Sequence, residues 1–553
     1  MSHRHRDDGQ YQERRERQKV NSGRILGASS LLMKLGIDFG TTRIVVAAVD
    51  RGNYPLVSFD AGDGTTADWY PSLVAIKEEE RRYGWEAWHS QLEEGWTVIR
   101  SLKRLLDDAG PRTVVAVGDQ EVPLYDLLTG LTGALKIALT EGSNLHLKSG
   151  EPLEIVLGVP AHANSNQRFL TVDSFRAAGF EVLGVLNEPS AASIEFGHRE
   201  RHKRIPETML VYDLGGGTFD ASLVTLDGNV HHVVASEGIS TIGGDDFDQL
   251  LADLALEKIA GHSEAYENIS AAAWFHLLEE CRCKKESLNP NSRRISVELE
   301  HLQPGLAPVQ VTAAEFYERA RPLVEETIAA SEDLLSHFGN GEFDVLYVTG
   351  GGSELPIVAR ALRERFGRRV RRSAYTRSAT AIGLAIHADQ PGSHQLDEKL
   401  SRYFGVWREA ESGNRIVFDP LFGKGLKVPA AGEPPVTIER TYSPVHNIGH
   451  FRFLECSHRA EDGSPSGDIA IWDEIWFPFD PTLQSAKTLS DTPVRPLLNE
   501  PPQDIQELYT CDSSGAIAAT ISNRSARYAR TYPLGRWSDA VKQVAPVRRK
   551  KKS

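Results

Sequence analysis

Two turns, far apart in the chain, share one chemistry and constrain the fold more than any other feature. Tyr212-Asp213-Leu214-Gly215-Gly216-Gly217-Thr218-Phe219-Asp220 places three glycines between two strand-like runs, and Lys34-Leu35-Gly36-Ile37-Asp38-Phe39-Gly40-Thr41-Thr42 runs into an apolar strand from Ile44 to Val49. Glycine tolerates positive φ and close approach, bare N–H groups form an anion nest, and threonine hydroxyls donate to phosphoryl oxygens. Each turn also carries an acid, Asp38 and Asp213. A carboxylate beside a polyphosphate repels it unless Mg²⁺ intervenes, holding several of its waters. The pair therefore predicts a Mg-nucleotide clamp; two ordinary glycine-rich hairpins are the structural alternative.

At 553 residues the chain is too long for one hydrophobic core and is expected to hold about two to four domains. A formal charge of −14 argues against a nucleic-acid-binding body, although both ends are locally basic. No apolar run approaches the ~20 residues of a membrane span. The charged N-terminus has no apolar segment before Ile25-Leu26 and does not read as a signal peptide. Four cysteines are too few and too scattered for a disulfide scaffold, and Cys281-x-Cys283 lacks zinc-ligand spacing. The default expectation is a cytoplasmic location with neither membrane nor nucleic-acid partner. Residues 1–32, Arg-rich and without periodicity, read as a disordered extension, with Met33 directly before the first core strand.

From 33 to 388 strands alternate with helices. Glu154 to Pro160 reads as a buried strand, and the helix after it starts near Ser165 and stops at Gly179. Asp245 to Ala260 is an amphipathic helix, with Phe247, Leu250, Leu251 and Leu254 on one face and Gly261 as its stop. Ala313 to Phe338 is helical, and Pro322 should kink or divide it. Val345 to Thr349 leads into Gly350-Gly351-Gly352 and a helix capped by Ser353 with Pro356 in its first turn, so a third run of bare backbone could face an anion or nucleoside. Residues 389–403 read as a linker. Strand signals then recur at short spacing across 404–533, at Arg415 to Phe418, Val436 to Tyr442, His450 to Cys456, Asp468 to Trp472, Ile505 to Cys511 and Ala516 to Ser522. Asp512-Ser513-Ser514-Gly515 joins the last two, and an all-β sandwich is the expected outcome. Residues 534–553, with Arg548-Arg549-Lys550-Lys551-Lys552, read as a solvated basic tail.

With Asn187-Glu188-Pro189-Ser190-Ala191-Ala192 between the two turns, and Ile242-Gly243-Gly244-Asp245-Asp246-Phe247-Asp248 and Gly350 to Pro356 after the second, residues 34 to 388 resemble the 70-kDa heat-shock (DnaK-type) chaperone family, motif by motif in family order. The resemblance implies an α/β actin-like (ribonuclease H-like) two-lobed ATPase region, with ATP or ADP and Mg²⁺ in the cleft between the lobes. Lys103, in Ser101-Leu102-Lys103-Arg104-Leu105-Leu106, matches the lysine that orients the attacking water. Asp38 and Asp213 match the acids that hold hydrated Mg²⁺, and Glu188 and Asp220 support them. The implied catalytic group is Lys103, Glu188, Asp213 and Thr218; the implied nucleotide contacts are Gly40, Thr41, Thr42, Gly215, Gly216, Gly217, Thr218, Gly244, Lys285, Gly351 and Gly352. Water would attack the γ-phosphate in line. Val159-Pro160-Ala161 and Gln167-Arg168 resemble the family's relay to its substrate region, with a rigid strand end and a surface arginine as the plain alternative. Residues 404–533 resemble a divergent peptide-binding β-domain, which implies unfolded or extended polypeptide partners, a co-chaperone or nucleotide-exchange factor, and a monomer.

The chain departs from the family at several positions. Glu354 stands where an arginine usually packs on adenine, Glu286 replaces a basic residue, and Arg377-Ser378 replaces an acidic pair, which together imply weakened adenine affinity. Gly184 replaces a basic residue that J-domain co-chaperones contact, the leucine-rich linker is missing, and 534–553 is too short for a helical lid. The leading expectation is an ATP-dependent, lidless chaperone-like protein. A nucleotide-gated scaffold for one dedicated partner would differ in client breadth. A small-molecule kinase of the same fold leaves Asn187 to Ala192 and the β-rich end unexplained, and actin-like polymerisation has no support in the sequence.

Overall fold

The computed structural model describes residues 32–534 and 541–543, apart from 92, 108, 111–112, 118–119, 146, 148–150, 201–206, 260–268, 303–304, 339–340, 391–394, 398, 411–414, 430–432, 487, 498–500 and 514. Nearly all of the expected disordered extension and basic tail, the helix stop Gly261, Ser514 of the expected turn and part of the expected linker lie outside these residues.

Met33–Phe39 (β1), Arg43–Ala48 (β2), Tyr70–Pro71 (β3), Leu153–Val159 (β4) and Glu181–Asn187 (β5) form a five-stranded sheet in the order β5-β4-β1-β2-β3. A second, six-stranded sheet contains Thr208–Leu214 (β6), Phe219–Asp227 (β7), Val230–Ile239 (β8), Val345–Thr349 (β9), Val370–Arg372 (β10) and Gln395–Asp397 (β11), in the order β10-β9-β6-β7-β8-β11. The same motif is used twice. β1 runs parallel to β4 and antiparallel to β2, and β6 runs parallel to β9 and antiparallel to β7. Each glycine turn therefore joins a central antiparallel pair, beside a parallel neighbour that arrives by a helical crossover.

Such central strands need cover on both faces. All seven residues of β4 are buried. The helices that supply the cover are Leu124–Glu141 (α1), Ser165–Ala177 (α2), Glu188–Glu200 (α3), Gly244–Lys258 (α4), Ala271–Glu286 (α5), Ala313–Phe338 (α6), Pro356–Phe366 (α7) and Ala379–Asp389 (α8). On β6 the strand period of two divides the side chains: Leu210, Tyr212 and Leu214 pack with Phe247, Leu251 and Phe316, whereas Met209 and Val211 pack with Ala192 and Phe196. On the first sheet Leu35, Ile37 and Phe39 face Leu128, Leu131 and Phe175, while Val45, Ala47 and Val156 face Ala381, Leu384 and Ala385 of α8.

Some helix expectations need correction. α6 is one 26-residue helix through Pro322; the proline and Glu318, whose carbonyl loses its partner, are both on the exposed side, where water replaces the missing bond. α7 starts at Pro356, with Leu355 at the cap position. Ser353 instead lies in a 3₁₀ turn, its hydroxyl donating to the Gly350 carbonyl at 2.6 Å. α2 opens on a capping box of Asn164 and Gln167, a local signal absent from the sequence reading.

Beyond α8, Tyr403–Ala410 (β12), Arg415–Phe422 (β13), Val436–Tyr442 (β14), Ile448–Arg459 (β15), Pro465–Pro478 (β16), Ile505–Cys511 (β17), Ile517–Asn523 (β18) and Tyr528–Pro533 (β19) form two antiparallel four-stranded sheets, β13-β12-β15-β16 and β14-β17-β18-β19. They share a core in which Phe404, Val406, Phe453 and Phe477 meet Tyr509, Ala519 and Ile521. β12 and β19 were not among the expected strands; β19 is an edge with no fully buried residue, so its sequence pattern is weak. The expected linker is partly sheet, because β11 pairs in parallel with Val230–His232 of β8. Val541–Gln543, from the expected tail, pairs in parallel with Val114–Ala116. No helix among the described residues is long and apolar enough to cross a membrane.

Candidate nucleotide site

The β1–β2 and β6–β7 turns touch. A Cβ on Gly216 would lie 2.7 Å from the Thr42 hydroxyl, and one on Gly217 would meet the Thr41 hydroxyl. Only glycine permits that approach. Gly350, at φ +82°, leaves β9 directly against the Leu214 carbonyl and the Asp213 carboxylate. Between the two sheets a cavity of about 220 Å³ is lined by Gly40, Thr41, Thr42, Gly215, Gly216 and Thr218, with Gly244, Gly351 and Gly352. Gly217 is not in that lining; its carbonyl accepts from Arg104 at 3.0 Å, and Arg104 also pairs with Asp246. Arg104 therefore holds the second turn in place, a role the sequence did not suggest although the residue follows Lys103.

Lys103 enters the cavity from the 3₁₀ turn Leu102–Leu106, and its Nζ donates to Glu188 Oε1 at 2.6 Å. Glu188 is the first residue of α3, so the side chain follows from where β5 ends. Asp38 and Asp213 line the same space. Burial pushes Asp38 up to about 7, the charge of Glu188 adds to this, and Lys103 opposes it. Burial drives Asp213 well above the ordinary carboxylate range, with Glu188, Asp38 and Asp220 contributing in the same direction. Burial raises Glu188 too, against the pull of Lys103. For Lys103, burial acts downward, but Glu188 and Asp38 outweigh it and the ammonium is retained. Each acid is thus destabilised as an anion, which is what a missing cation produces. Hard carboxylate oxygens suit Mg²⁺. Among the described residues no three or more His, Cys, Asp or Glu side chains are grouped to hold a metal, so the donors fit an ion held mainly through water and phosphate.

Asp220, expected to support the metal, does not line the cavity. It accepts from the Ala161 backbone N–H at 2.9 Å and from His162 Nδ1 at 2.9 Å, and so holds the loop after β4. His162 was missed; burial pulls its pKa down, but Asp220 outweighs this and raises it. Lys285 does line the cavity, yet its ammonium is bonded to the Gly244 carbonyl at 2.6 Å and to Asp248 at 2.7 Å, tying α5 to α4. Glu354 lies outside the lining and pairs with Arg372 and Arg377.

The β-rich region sits against this machinery. Arg168 donates to Asn187, the residue before Glu188, and also lines a small cavity with Arg402, Phe404 and Ile517. Lys424 pairs with Glu237 of β8 at 2.8 Å. Gln167, by contrast, serves the capping box and donates to Asp107.

Paired glycine turns closing on a lysine–carboxylate cluster, in a mixed α/β body with a β-rich C-terminal region, define the class. Residues 143–395 match the family model described as Hsp70 protein. The chaperone protein HscA of Pectobacterium carotovorum subsp. carotovorum (strain PC1) is 30% identical over 373 residues, which cover 65% of this chain and 58% of that chaperone. HscA of Klebsiella pneumoniae (strain 342) is 31% identical over 381 residues, covering 66% of this chain and 59% of the relative. The chain belongs to the Hsp70 family. Its matches span about three-fifths of those relatives' length.

Proposed function

We propose that the protein is an ATP-dependent chaperone-like ATPase: residues 33–388 form two actin-like lobes that bind Mg-ATP, and 404–533 bind polypeptide according to nucleotide state. The observation that carries this reading is the buried Lys103–Glu188 pair, facing Asp38 and Asp213 in a cavity walled by bare glycine backbone. Thr41, Thr42 and Thr218 donate to phosphoryl oxygens alongside the N–H groups of Gly40, Gly215 and Gly216. Asp38 and Asp213, with Glu188, would hold Mg²⁺, which offsets charge on the transferring phosphoryl group when bound. Lys103, kept protonated by Glu188, orients water and stabilises the charge that develops on transfer. Asp220 acts indirectly, by fixing the loop that carries His162.

For the polypeptide, the two open sheet edges β13 and β14 border a groove of about 780 Å³. Ile416, Val445 and Val494 line it at 55%, 62% and 55% exposure. An extended apolar segment would add to such edges by backbone hydrogen bonds. The test is single-turnover ATP hydrolysis by the wild type and Lys103→Ala, with and without extended apolar peptides. Hydrolysis that needs Lys103 and shifts with peptide supports the coupled chaperone. Lys103-dependent hydrolysis indifferent to peptide replaces it with a dedicated scaffold, and hydrolysis unchanged by Lys103→Ala removes the catalytic assignment.

A further inference from the structure

The more exposed end of the same cavity bears on what the protein reads in its ligand. Side-chain exposure rises from 9% at Lys103 to 18% at Arg43, 28% at Glu286 and 36% at Arg377. Arg43, at the start of β2, donates to both oxygens of Glu286 at the end of α5, at 2.9 and 2.7 Å. Arg377 donates to the same carboxylate at 2.9 Å and through Nε to Glu354 at 2.9 Å. Arg372 takes the other Glu354 oxygen at 2.7 Å. The Arg43 guanidinium also lies 4.7 Å over the ring of Trp69. The result is a chain of alternating charges that begins on the first sheet and crosses the cavity to the second.

A ligand with its phosphates on the glycine turns lays its remaining end here. Discrimination among bases needs an apolar slot of matched shape or free donors and acceptors on the base edge. The carboxylates of Glu286 and Glu354, the natural acceptors for amino and imino groups, are already taken by guanidiniums. Asp68, also in the lining, is exposed, where water competes for it. What this end does offer is planar guanidinium, which stacks on any π face and adds positive charge toward phosphate. Arg43, Arg372 and Arg377 against Glu286 and Glu354 leave an excess of one cation, and Arg282, 3.9 Å from Glu286, adds to it.

We propose that this cleft selects a Mg-bound triphosphate and is indifferent to the nucleobase, with Arg43 and Arg377 as stacking platforms and Glu286 and Glu354 as the groups that hold them flat. The proposal rests on the Mg-nucleotide reading above and deepens it. It is tested on the full chain by displacing a ribose-labelled fluorescent ATP with ATP, GTP, CTP and UTP in Mg²⁺. The expected midpoints agree within about fivefold, because stacking alone tolerates every base. A preference of about 50-fold or more for any one base overturns the proposal, since that needs edge recognition, and leaves the nucleotide reading standing. If the label does not bind, or binds equally without Mg²⁺, the nucleotide reading falls and the proposal with it. Arg377→Ala and Arg377→Lys, checked for folding by thermal unfolding, should weaken all four nucleotides by a common factor of about 3–10; weakening of one alone would also overturn it.

Discussion

Asp38 holds a proton through burial and neighbouring charge, and at the residue scale this fixes the sign of a pH effect. Its folded pKa of about 7 stands above the ordinary 3.8, so the folded state binds more protons than the unfolded chain between those values. Its contribution to stability is therefore lost as pH rises through that window. Without ligand, the melting temperature should include a component that falls from about pH 4 to pH 7, and Mg-nucleotide should release protons on binding at pH 6, measurable by calorimetry in buffers of different ionisation enthalpy. Asp38→Asn should raise ligand-free stability at pH 7 by about 1–2 kcal/mol while removing Mg-dependent hydrolysis. A variant less stable than wild type at pH 7 would contradict the repulsive cluster. Glu286 has the opposite sign. Burial acts upward on it, but Arg43 and Arg377 hold it at about 2, so its contribution fades as pH falls from its unfolded value toward that figure.

At the scale of elements, the glycine turns are packing devices as well as ligand cradles. Gly217→Ala would force the Thr41 hydroxyl aside, and the expected loss is about 1–3 kcal/mol in denaturant unfolding together with at least tenfold weaker Mg-ATP binding. Normal values for both would show that the turns separate without penalty. α6 offers the reverse test: Pro322→Ala, on the exposed side of a continuous helix, restores a backbone hydrogen bond and should stabilise by about 1–3 kcal/mol. Elements with strong local patterns were legible: the spans Val345 to Thr349, Val436 to Tyr442 and Ile505 to Cys511 occur as read. The cap assigned to Ser353 was not, because Pro356 at the first helical position and the 3₁₀ turn before it shift the helix start. Pro322 misled because propensity is a local cost, whereas α6 is held by a buried face that includes Phe316, Ala320, Val324 and Ile328.

At the scale of the molecule, the β-rich region reaches the α/β body through β11 on β8, the Lys424–Glu237 pair and the cavity beside Arg168. Glu237 is remote from the carboxylate cluster in role, so Glu237→Gln should leave basal hydrolysis unchanged and reduce the response to peptide by roughly twofold or more. A surface ion pair contributes about 0.2–1 kcal/mol, which sets that scale. An unaltered peptide response would show that this pair carries no coupling.

Sequence by itself determined the paired glycine turns, the acids within them, the alternation of strand and helix up to 388, and the β-rich texture after it, because these depend on local backbone freedom and side-chain period. Asp38, Lys103, Glu188 and Asp213 could be named from motifs, but only the tertiary structure placed them in one cavity. It also moved Asp220 out of the lining and onto His162, engaged Lys285 with Asp248, and set Glu286 and Glu354 among arginines. Those outcomes depend on which distant side chains meet once the two sheets pack, and long-range electrostatic partners leave no periodic trace in a chain.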